Sequence, residues 1–153
     1  SRMLEDVFAN LLRSGKLRVQ QAGIVQVEAL LHQSLIDIAE AQKISSIAER
    51  ATYVCAYMGM LKAARSLVLL YGYVPIDGAQ HKTVVDITSE ILGERFGDVT
   101  DHFERMRRKR NEMTYEAGAL MTFSEAQKAL SDAVVLVQEI TRLIKEKYPE
   151  LNL

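Results

Sequence analysis

Residues 49–71, ERATYVCAYMGMLKAARSLVLLY, decide how this chain folds. Apolar side chains recur at three and four positions along the stretch, which predicts a helix that is apolar on most sides. Small residues among them let neighbouring helices approach closely, and these are Ala56, Gly59, Ala63, Ala64 and Ser66. The sequence therefore predicts a central helix that begins at a Ser46-x-x-Glu49 capping box and ends near Tyr71.

The segments on both sides of this stretch repeat the helical spacing. We expect five further helices, over residues 3–14, 24–42, 80–92, 101–117 and 122–147. Valine and threonine show no alternating pattern, so strands are not expected. The predicted fold class is all-α: an up-and-down helical bundle of four main helices plus one or two short ones, in a single domain over residues 1–153.

Turn and cap signals set the boundaries of these helices. Residues 72–78, GYVPIDG, form the clearest loop, and residues 94–99 form a linker. Thr100 or Asp101 is expected to cap the helix that follows this linker. Two overlapping cap signals precede the last helix, Thr122-x-x-Glu125 and Ser124-x-x-Gln127.

Composition limits both location and partners. The formal net charge of −1 argues against a protein that coats nucleic acid over its whole surface, so any such contact is local. The longest apolar run, residues 66–71, is far shorter than the roughly 20 residues of a membrane span. Since no secretory signal opens the chain, we expect a cytoplasmic protein without a membrane segment. The single cysteine, Cys55, is expected to be a small buried hydrophobe.

A basic segment, residues 101–118 (DHFERMRRKRNEMTYEAG), has five Lys and Arg among six consecutive residues. As a helix it places Arg107 and Arg110 on an apolar stripe with Phe103, Met106, Met113 and Ala117. A guanidinium does not lose its charge, so beside a core it needs a carboxylate, carbonyl oxygens or an anion such as phosphate. Two interpretations stay open, a structural ion pair and phosphate binding. The candidate ion-pair partners are Glu49, Asp86 and Glu116. A solvated helix face accounts for Arg105, Arg108 and Lys109.

Histidines are the other candidates for chemistry. His81 and Lys82 fall in the first turn of a predicted helix, where the partial positive charge lowers the pKa of a histidine and suits an anion. A purely structural role for His81 is the alternative. His32 fits an ordinary surface or packing histidine. No carboxylate stands at ligand spacing from His32, His81 or His102, so neither a metal nor another cofactor is expected.

Residues 110–115, Arg-Asn-Glu-Met-Thr-Tyr, resemble the motif of the HEPN superfamily of small helical-bundle proteins. That motif is an arginine, usually followed by a polar residue, with a histidine four to six positions on. Three other segments are similar to the family and, with the motif, cover nearly the whole chain. They are the Leu-Leu-x-x-Gly-Lys-Leu opening at residues 11–17, Gly72-Tyr73-x-Pro75, and Gln80-His81-Lys82-Thr83.

The resemblance implies a homodimer in which the motif helices of two protomers line a shared cleft. Many family members are metal-independent endoribonucleases, and others are partners of nucleotidyltransferases in toxin–antitoxin or defence systems. Arg110 matches the family arginine, which would stabilise negative charge, and Asn111 matches the polar residue beside it. We also expect Arg107 and Lys82 to bind the ligand.

Tyr115 stands where the family histidine would stand, five positions after Arg110. A phenol with an ordinary pKa near 10 is a poor base at neutral pH, whereas imidazole near 6.5 is suited to the task. Catalysis would need either Tyr115 with a lowered pKa or His81 as the missing imidazole. We therefore expect an RNA- or nucleotide-binding protein, with ribonuclease activity left open. The alternative is a non-catalytic module that binds a protein partner such as a nucleotidyltransferase.

Overall fold

The computed structural model describes residues 2–21, 23–76, 80–118 and 120–153. Within these ranges the chain forms six α-helices, a short 3-10 turn and a two-stranded ribbon. The elements are α1 (Arg2–Arg13), β1 (Leu17–Val19), α2 (Ile24–Ile44), α3 (Glu49–Leu70), β2 (Tyr73–Pro75), α4 (Gln80–Leu92), the turn Glu94–Phe96, α5 (Gly97–Tyr115) and α6 (Phe123–Lys147). Four helices are long and two are short, so the predicted all-α bundle is confirmed.

Helix α3 is the centre of the bundle, as its sequence predicts. It packs against α2, α4, α5 and α6. All five small residues of the stretch are buried, together with large ones such as Tyr57 and Met60. Among the described residues α3 alone is long and apolar enough to cross a membrane, and 67% of its most apolar window is buried inside the bundle.

The closest approach between α2 and α3 is at Gly59. The Ser34 hydroxyl donates a hydrogen bond of 2.6 Å to the Gly59 carbonyl oxygen. A Cβ atom at Gly59 would lie 2.7 Å from Ile38 Cδ1 and 3.3 Å from the Ser34 carbonyl oxygen. Because real Cβ contacts are longer than 3.0 Å, a side chain at this position would displace the Ile38 terminal methyl and crowd the Ser34 carbonyl, so the crossing favours glycine.

The ribbon of β1 and β2 is absent from the sequence prediction. The two strands pair antiparallel, with Arg18 opposite Val74. Phe8 of α1 stacks on the Tyr73 ring, with 4.3 Å between the ring centroids. Three-residue strands are too short to show an alternating pattern, which is why the predicted loop over residues 72–78 concealed a strand. Residues 77–78 of that loop lie outside the described ranges.

Two predicted helix starts are wrong. Helix α3 begins at Glu49 after Ala48, and Ser46 makes no capping hydrogen bond there. Helix α5 begins at Gly97, three residues before the expected cap. Thr100 is instead a buried residue inside the first turns of α5, where its hydroxyl donates to the Phe96 and Gly97 carbonyl oxygens at 3.2 Å. The Thr100 hydroxyl therefore bonds to backbone carbonyls at the start of the helix and does not cap its N-terminus.

The sequence also predicts the start of α6 and the end of α5. The expected cap at Thr122 is confirmed, because its side chain accepts a 3.0 Å hydrogen bond from the Glu125 backbone N–H. Helix α5 ends at Tyr115, two residues earlier than predicted. Ala117 therefore lies beyond the helix and is exposed rather than on its apolar stripe.

We expect Gly59→Ala to lower the free energy of unfolding by about 1–3 kcal/mol, because the added methyl overpacks the α2–α3 crossing. The higher helix propensity of alanine offsets roughly 1 kcal/mol of this cost. Ile38→Val removes the nearest atom, so Gly59→Ala should cost less in the Ile38→Val background. Denaturant unfolding of the four proteins in this double-mutant cycle measures the coupling. Equal costs in both backgrounds would contradict the proposed contact.

Candidate anion-binding site

The basic helix α5 carries its arginines beside the core, as the periodicity predicts. Phe103 and Met106 are fully buried, while Arg107, Arg110 and Met113 are half-buried. The two arginine side chains therefore lie at the edge of the core, on neighbouring turns of α5. Their surroundings differ, and this difference defines the candidate site.

Arg107 is paired within its own helix. Its Nη2 donates to Glu104 Oε1 at 2.6 Å, and its Nε lies 3.1 Å from both carboxylate oxygens. Burial opposes the charge on Glu104, but hydrogen bonds from Arg107 and Arg108 hold the pKa of this carboxyl below its ordinary value. The partner of Arg107 is therefore Glu104, one turn away, and none of the three carboxylates that the sequence suggested.

Arg110 has no such partner. Its side chain makes no hydrogen bond and no ion pair within the described residues. Methionine, arginine and threonine occupy the positions three and four residues to either side, so no carboxylate of α5 can reach it by helical spacing. A half-buried cation without a counter-charge is the first element of the site.

His81 is the second element of the site, and its ring is hydrogen-bonded to Tyr57. His81 lies in the first turn of α4, as predicted, and its Nδ1 is 3.0 Å from the hydroxyl oxygen of Tyr57 on α3. Tyr57 is fully buried, and its ring packs against Phe103 of α5 at 5.8 Å between centroids. Burial raises the pKa of Tyr57 to about 12, although Arg107 and Arg110 oppose the shift.

The charges around His81 keep it neutral. Burial lowers its pKa below the ordinary 6.5, and the positive charges of Arg110, Arg65 and Arg107 lower it further, in that order. The charges of Arg110, Arg65 and Arg107 thus all act on the His81 ring. At neutral pH the ring carries one proton, on either Nδ1 or Nε2.

The buried Tyr57 hydroxyl selects between the two tautomers of His81. A buried O–H group needs an acceptor, and His81 Nδ1 is the hydrogen-bond partner that the structure gives it within the described ranges. Nδ1 therefore accepts, and the ring proton resides on Nε2. The other tautomer would leave the Tyr57 proton unsatisfied at a cost of about 1–3 kcal/mol. In this state His81 presents an N–H donor, which suits an anionic oxygen.

Tyr115 and Asn111 lie elsewhere on α5. Tyr115 is its last residue and is 85% exposed. Together with half-buried Asn111 it lines an open depression of about 350 Å³, whose other lining residues are Arg107, Arg108, Glu112 and Glu116. No described hydrogen bond or ring contact joins Tyr115 to His81. Arg110 and Arg107 thus act on His81 through their charges, and Tyr115 is not among the groups that do.

The sequence predicts that Lys82 binds the ligand, but in the structure its amine lies next to a carboxylate. It is exposed and pairs with Asp86 one turn along α4, with 3.3 Å between Nζ and Oδ2. Its charge also lowers the pKa of Glu104, after the larger effects of burial and the arginines. Its positive charge is thus shared with carboxylates, and it lies at the margin of the site.

Sequence reasoning missed Tyr57 and Arg65 as site residues. Arg65 is exposed, and no ion pair to it is found in the part of the chain that the structure describes. The signal was present in the spacing, because Tyr57 and Arg65 are eight residues apart and share one face of α3. Their relation to His81 could not be read from the sequence, since it depends on how α4 packs on α3.

The sequence also named His102, His32 and Cys55 as residues to consider, and their surroundings in the structure fit structural roles. His102 Nδ1 lies 2.7 Å from Asp132 Oδ2, and Lys128 Nζ lies 3.0 Å from the other oxygen of that carboxylate, which joins α5 to α6. His32 is exposed, 3.9 Å from Glu28. Cys55 is half-buried rather than fully buried, and burial raises the pKa of its thiol. Within residues 2–21, 23–76, 80–118 and 120–153, no three His, Cys, Asp or Glu side chains form a group that could hold a metal.

No protein-family model matches this chain, and no curated protein matches its sequence. A functional assignment therefore depends on the residues of the chain itself. The feature that stands out is the group of His81, Tyr57, Arg110, Arg107 and Arg65, where α3, α4 and α5 meet.

We expect His81 to titrate with a pKa below 6.5, because burial and nearby arginines disfavour the imidazolium. Arg110→Gln removes one of these charges, so it should raise the His81 pKa toward 6.5. Arg105→Gln is the matched control, since Arg105 is exposed on the same helix and is not among the charges that act on His81. The ring-proton chemical shift of His81, followed by NMR against pH, gives the midpoints. A midpoint unchanged by Arg110→Gln would contradict the placement of Arg110.

Proposed function

We propose that this chain is a HEPN-like protein that binds RNA or nucleotides through their phosphate groups. One observation carries the proposal: the half-buried Arg110 has no ion-pair partner among the described residues, and its charge acts on His81, whose Nδ1 is hydrogen-bonded to the buried Tyr57 hydroxyl. A guanidinium and an imidazole N–H that an anion can reach are suited to phosphate oxygens. The resemblance of residues 110–115 to the family motif supports the same ligand class.

The surrounding residues favour a local phosphate site over general attraction to polyanions. The net charge is −1, so the protein as a whole does not attract nucleic acid. Arg107 is already paired with Glu104 and contributes only part of its charge. Asn111, the next residue after Arg110, can donate to or accept from a ribose or base. Binding would therefore depend on Arg110 more than on the other arginines of α5.

Cleavage is the less favoured part of the proposal. In metal-independent cleavage the ribose 2′-OH attacks the adjacent phosphate, so a base must accept its proton and an acid must protonate the leaving oxygen. His81 could act as the base only in the tautomer that leaves the Tyr57 hydroxyl without an acceptor, and this costs about 1–3 kcal/mol. Tyr115 is exposed and is not joined to His81 within the chain. We therefore propose binding as the function, with a second protomer needed to complete any catalytic site.

A homodimer in the cytoplasm is the assembly that fits this proposal. The family resemblance implies that the motif helices of two protomers line a shared cleft. Helix α5 ends with Tyr115 exposed, so its side chain is free to reach a neighbouring protomer.

Arg110→Gln should weaken the binding of a short single-stranded RNA by about tenfold or more, because it removes a charge-assisted contact to phosphate. Fluorescence anisotropy with labelled RNA in EDTA, at several salt concentrations, measures both affinity and salt dependence. The slope of log affinity against log salt should become shallower by about 0.7 in this variant. Gel analysis of the same samples detects cleavage.

The control for this experiment is Arg105→Gln, which removes the same charge from an exposed position of α5. Its RNA affinity should match that of the wild type. Full RNA binding by Arg110→Gln, or equal losses in both variants, would contradict a phosphate site at Arg110.

An interaction module is the second candidate function, and one surface favours it. At the connection between α5 and α6 three large apolar side chains are exposed: Tyr115 at 85%, Leu120 at 81% and Phe123 at 53%. Exposed apolar groups close together on a surface are typical of a protein-binding site. A nucleotidyltransferase is the partner class that the resemblance suggests for such a surface.

If this second function is correct, the protein should be recovered from its native cells with one stoichiometric partner, and Leu120→Ser should release that partner. Light scattering separates the assemblies, since a homodimer has twice the mass of the chain and a complex has the mass of both proteins. Recovery of the chain as a homodimer that retains RNA and no other protein would contradict the module.

A further inference from the structure

Arg50 extends the candidate site along α3. It lies in the first turn of α3, is exposed, and has no ion pair or side-chain hydrogen bond within the described ranges. Arg50 and Arg110 line the same open depression of about 360 Å³ between α3 and α5. The other lining residues are Ala51, Val54, Met113 and Thr114. Two cations that share one depression without a carboxylate in its lining repel each other unless an anion lies between them.

The register of α3 places these cations along one face. Arg50, Tyr57 and Arg65 are seven and eight residues apart, which is close to two helical turns in each case. At 1.5 Å per residue the distance along the helix from Arg50 to Arg65 is about 22 Å. Arg110 shares a depression with Arg50, and Tyr57, which lies between Arg50 and Arg65 in the sequence of α3, is hydrogen-bonded to His81.

We propose that these residues form an extended phosphate-binding track, in the order Arg50, Arg110, His81, Arg65, and that its ligand is a single-stranded oligonucleotide rather than a free nucleotide. The α3 track, as we call it, rests on the proposed function and narrows its ligand class. A mononucleotide has its negative charge on a single phosphate group, so it neutralises one part of the track. Only a strand with several phosphates reaches from Arg50 to Arg65.

The lining between the cations is also suited to a strand. Val54 and Met113 are half-buried apolar side chains between Arg50 and Arg110. Apolar side chains can cover the face of a ribose or base, while the arginines on both sides hold the phosphates. Glu104 of α5 is already bound by Arg107 and Arg108, so its charge is neutralised within α5.

Oligouridylates of one, two, four and eight nucleotides test the proposal. Each carries a 5′-phosphate and 2′-O-methyl groups, which prevent cleavage, and binding is measured in EDTA at several salt concentrations. We expect affinity to rise steeply between one and four nucleotides. Three phosphate contacts would give a salt slope near −2 for the longer strands, since single strands contribute about 0.7 per contact.

Single substitutions locate the contacts. Arg50→Gln and Arg65→Gln should each weaken octanucleotide binding by about two- to fivefold and make the salt slope shallower by about 0.7. Both should leave mononucleotide binding unchanged, whereas Arg110→Gln should weaken both ligands. Arg105→Gln is the matched control and should behave as the wild type. Arg50, Arg65 and Arg105 are exposed and Arg110 is half-buried, and a thermal melt confirms that each variant is folded.

Three outcomes overturn the α3 track, and they are distinguishable from one another. Equal affinity for one and eight nucleotides shows a mononucleotide site. Loss of binding in Arg110→Gln alone, with Arg50→Gln and Arg65→Gln equal to the control, shows a single phosphate contact. In both of these cases the proposed function stands. Absence of binding at every length overturns the proposed function and the track together.

Discussion

The hydrogen bond between the buried Tyr57 hydroxyl and His81 Nδ1 is the contact on which the candidate site depends. It places α4 against α3 at the first turn of α4, and it determines which ring nitrogen of His81 carries the proton. Because the Tyr57 hydroxyl is inside the bundle, its need for an acceptor is satisfied at His81. With Nδ1 so engaged, His81 has its N–H donor at Nε2, and Arg110 has a guanidinium without an ion pair in the described residues, which is the basis of the anion site that we propose.

Arg107 and Arg110 show how the same residue type in neighbouring turns acquires different roles. Arg107 follows Glu104 by three residues, so a carboxylate of its own helix neutralises it. Arg110 has no acidic residue at that spacing, and no neighbouring helix supplies one within the described residues. Helical spacing accounts for the Arg107–Glu104 pair, whereas the structure was needed to show that no neighbouring helix pairs with Arg110 within the described residues.

The parts of the structure that were predicted from the sequence are those set by helical periodicity. The burial of α3, its small residues, the position of His81 in a first turn and the two arginines beside the core all follow from residue spacing. The two-stranded ribbon could not be predicted, because three-residue strands carry too little pattern. The predicted start of α5 was wrong because backbone carbonyls of its own first turns bind the Thr100 hydroxyl. The predicted start of α3 was wrong because Ala48, and not Ser46, stands at the N-cap. The contribution of Tyr57 and Arg65 to the site depends on how α3 and α4 pack together. Residue spacing within one helix does not predict this packing.

The ribbon has a consequence for how the site is linked to folding. Strand β1 follows α1, β2 follows α3, and α1 packs against α4 as well as stacking Phe8 on Tyr73. The candidate site lies on α3, α4 and α5, while α1 packs on α4 and β2 packs on both α3 and α4, so segments distant in sequence surround the helices that carry it. An anion held there would bind only the complete native state, so occupancy of the site and global stability would be thermodynamically coupled.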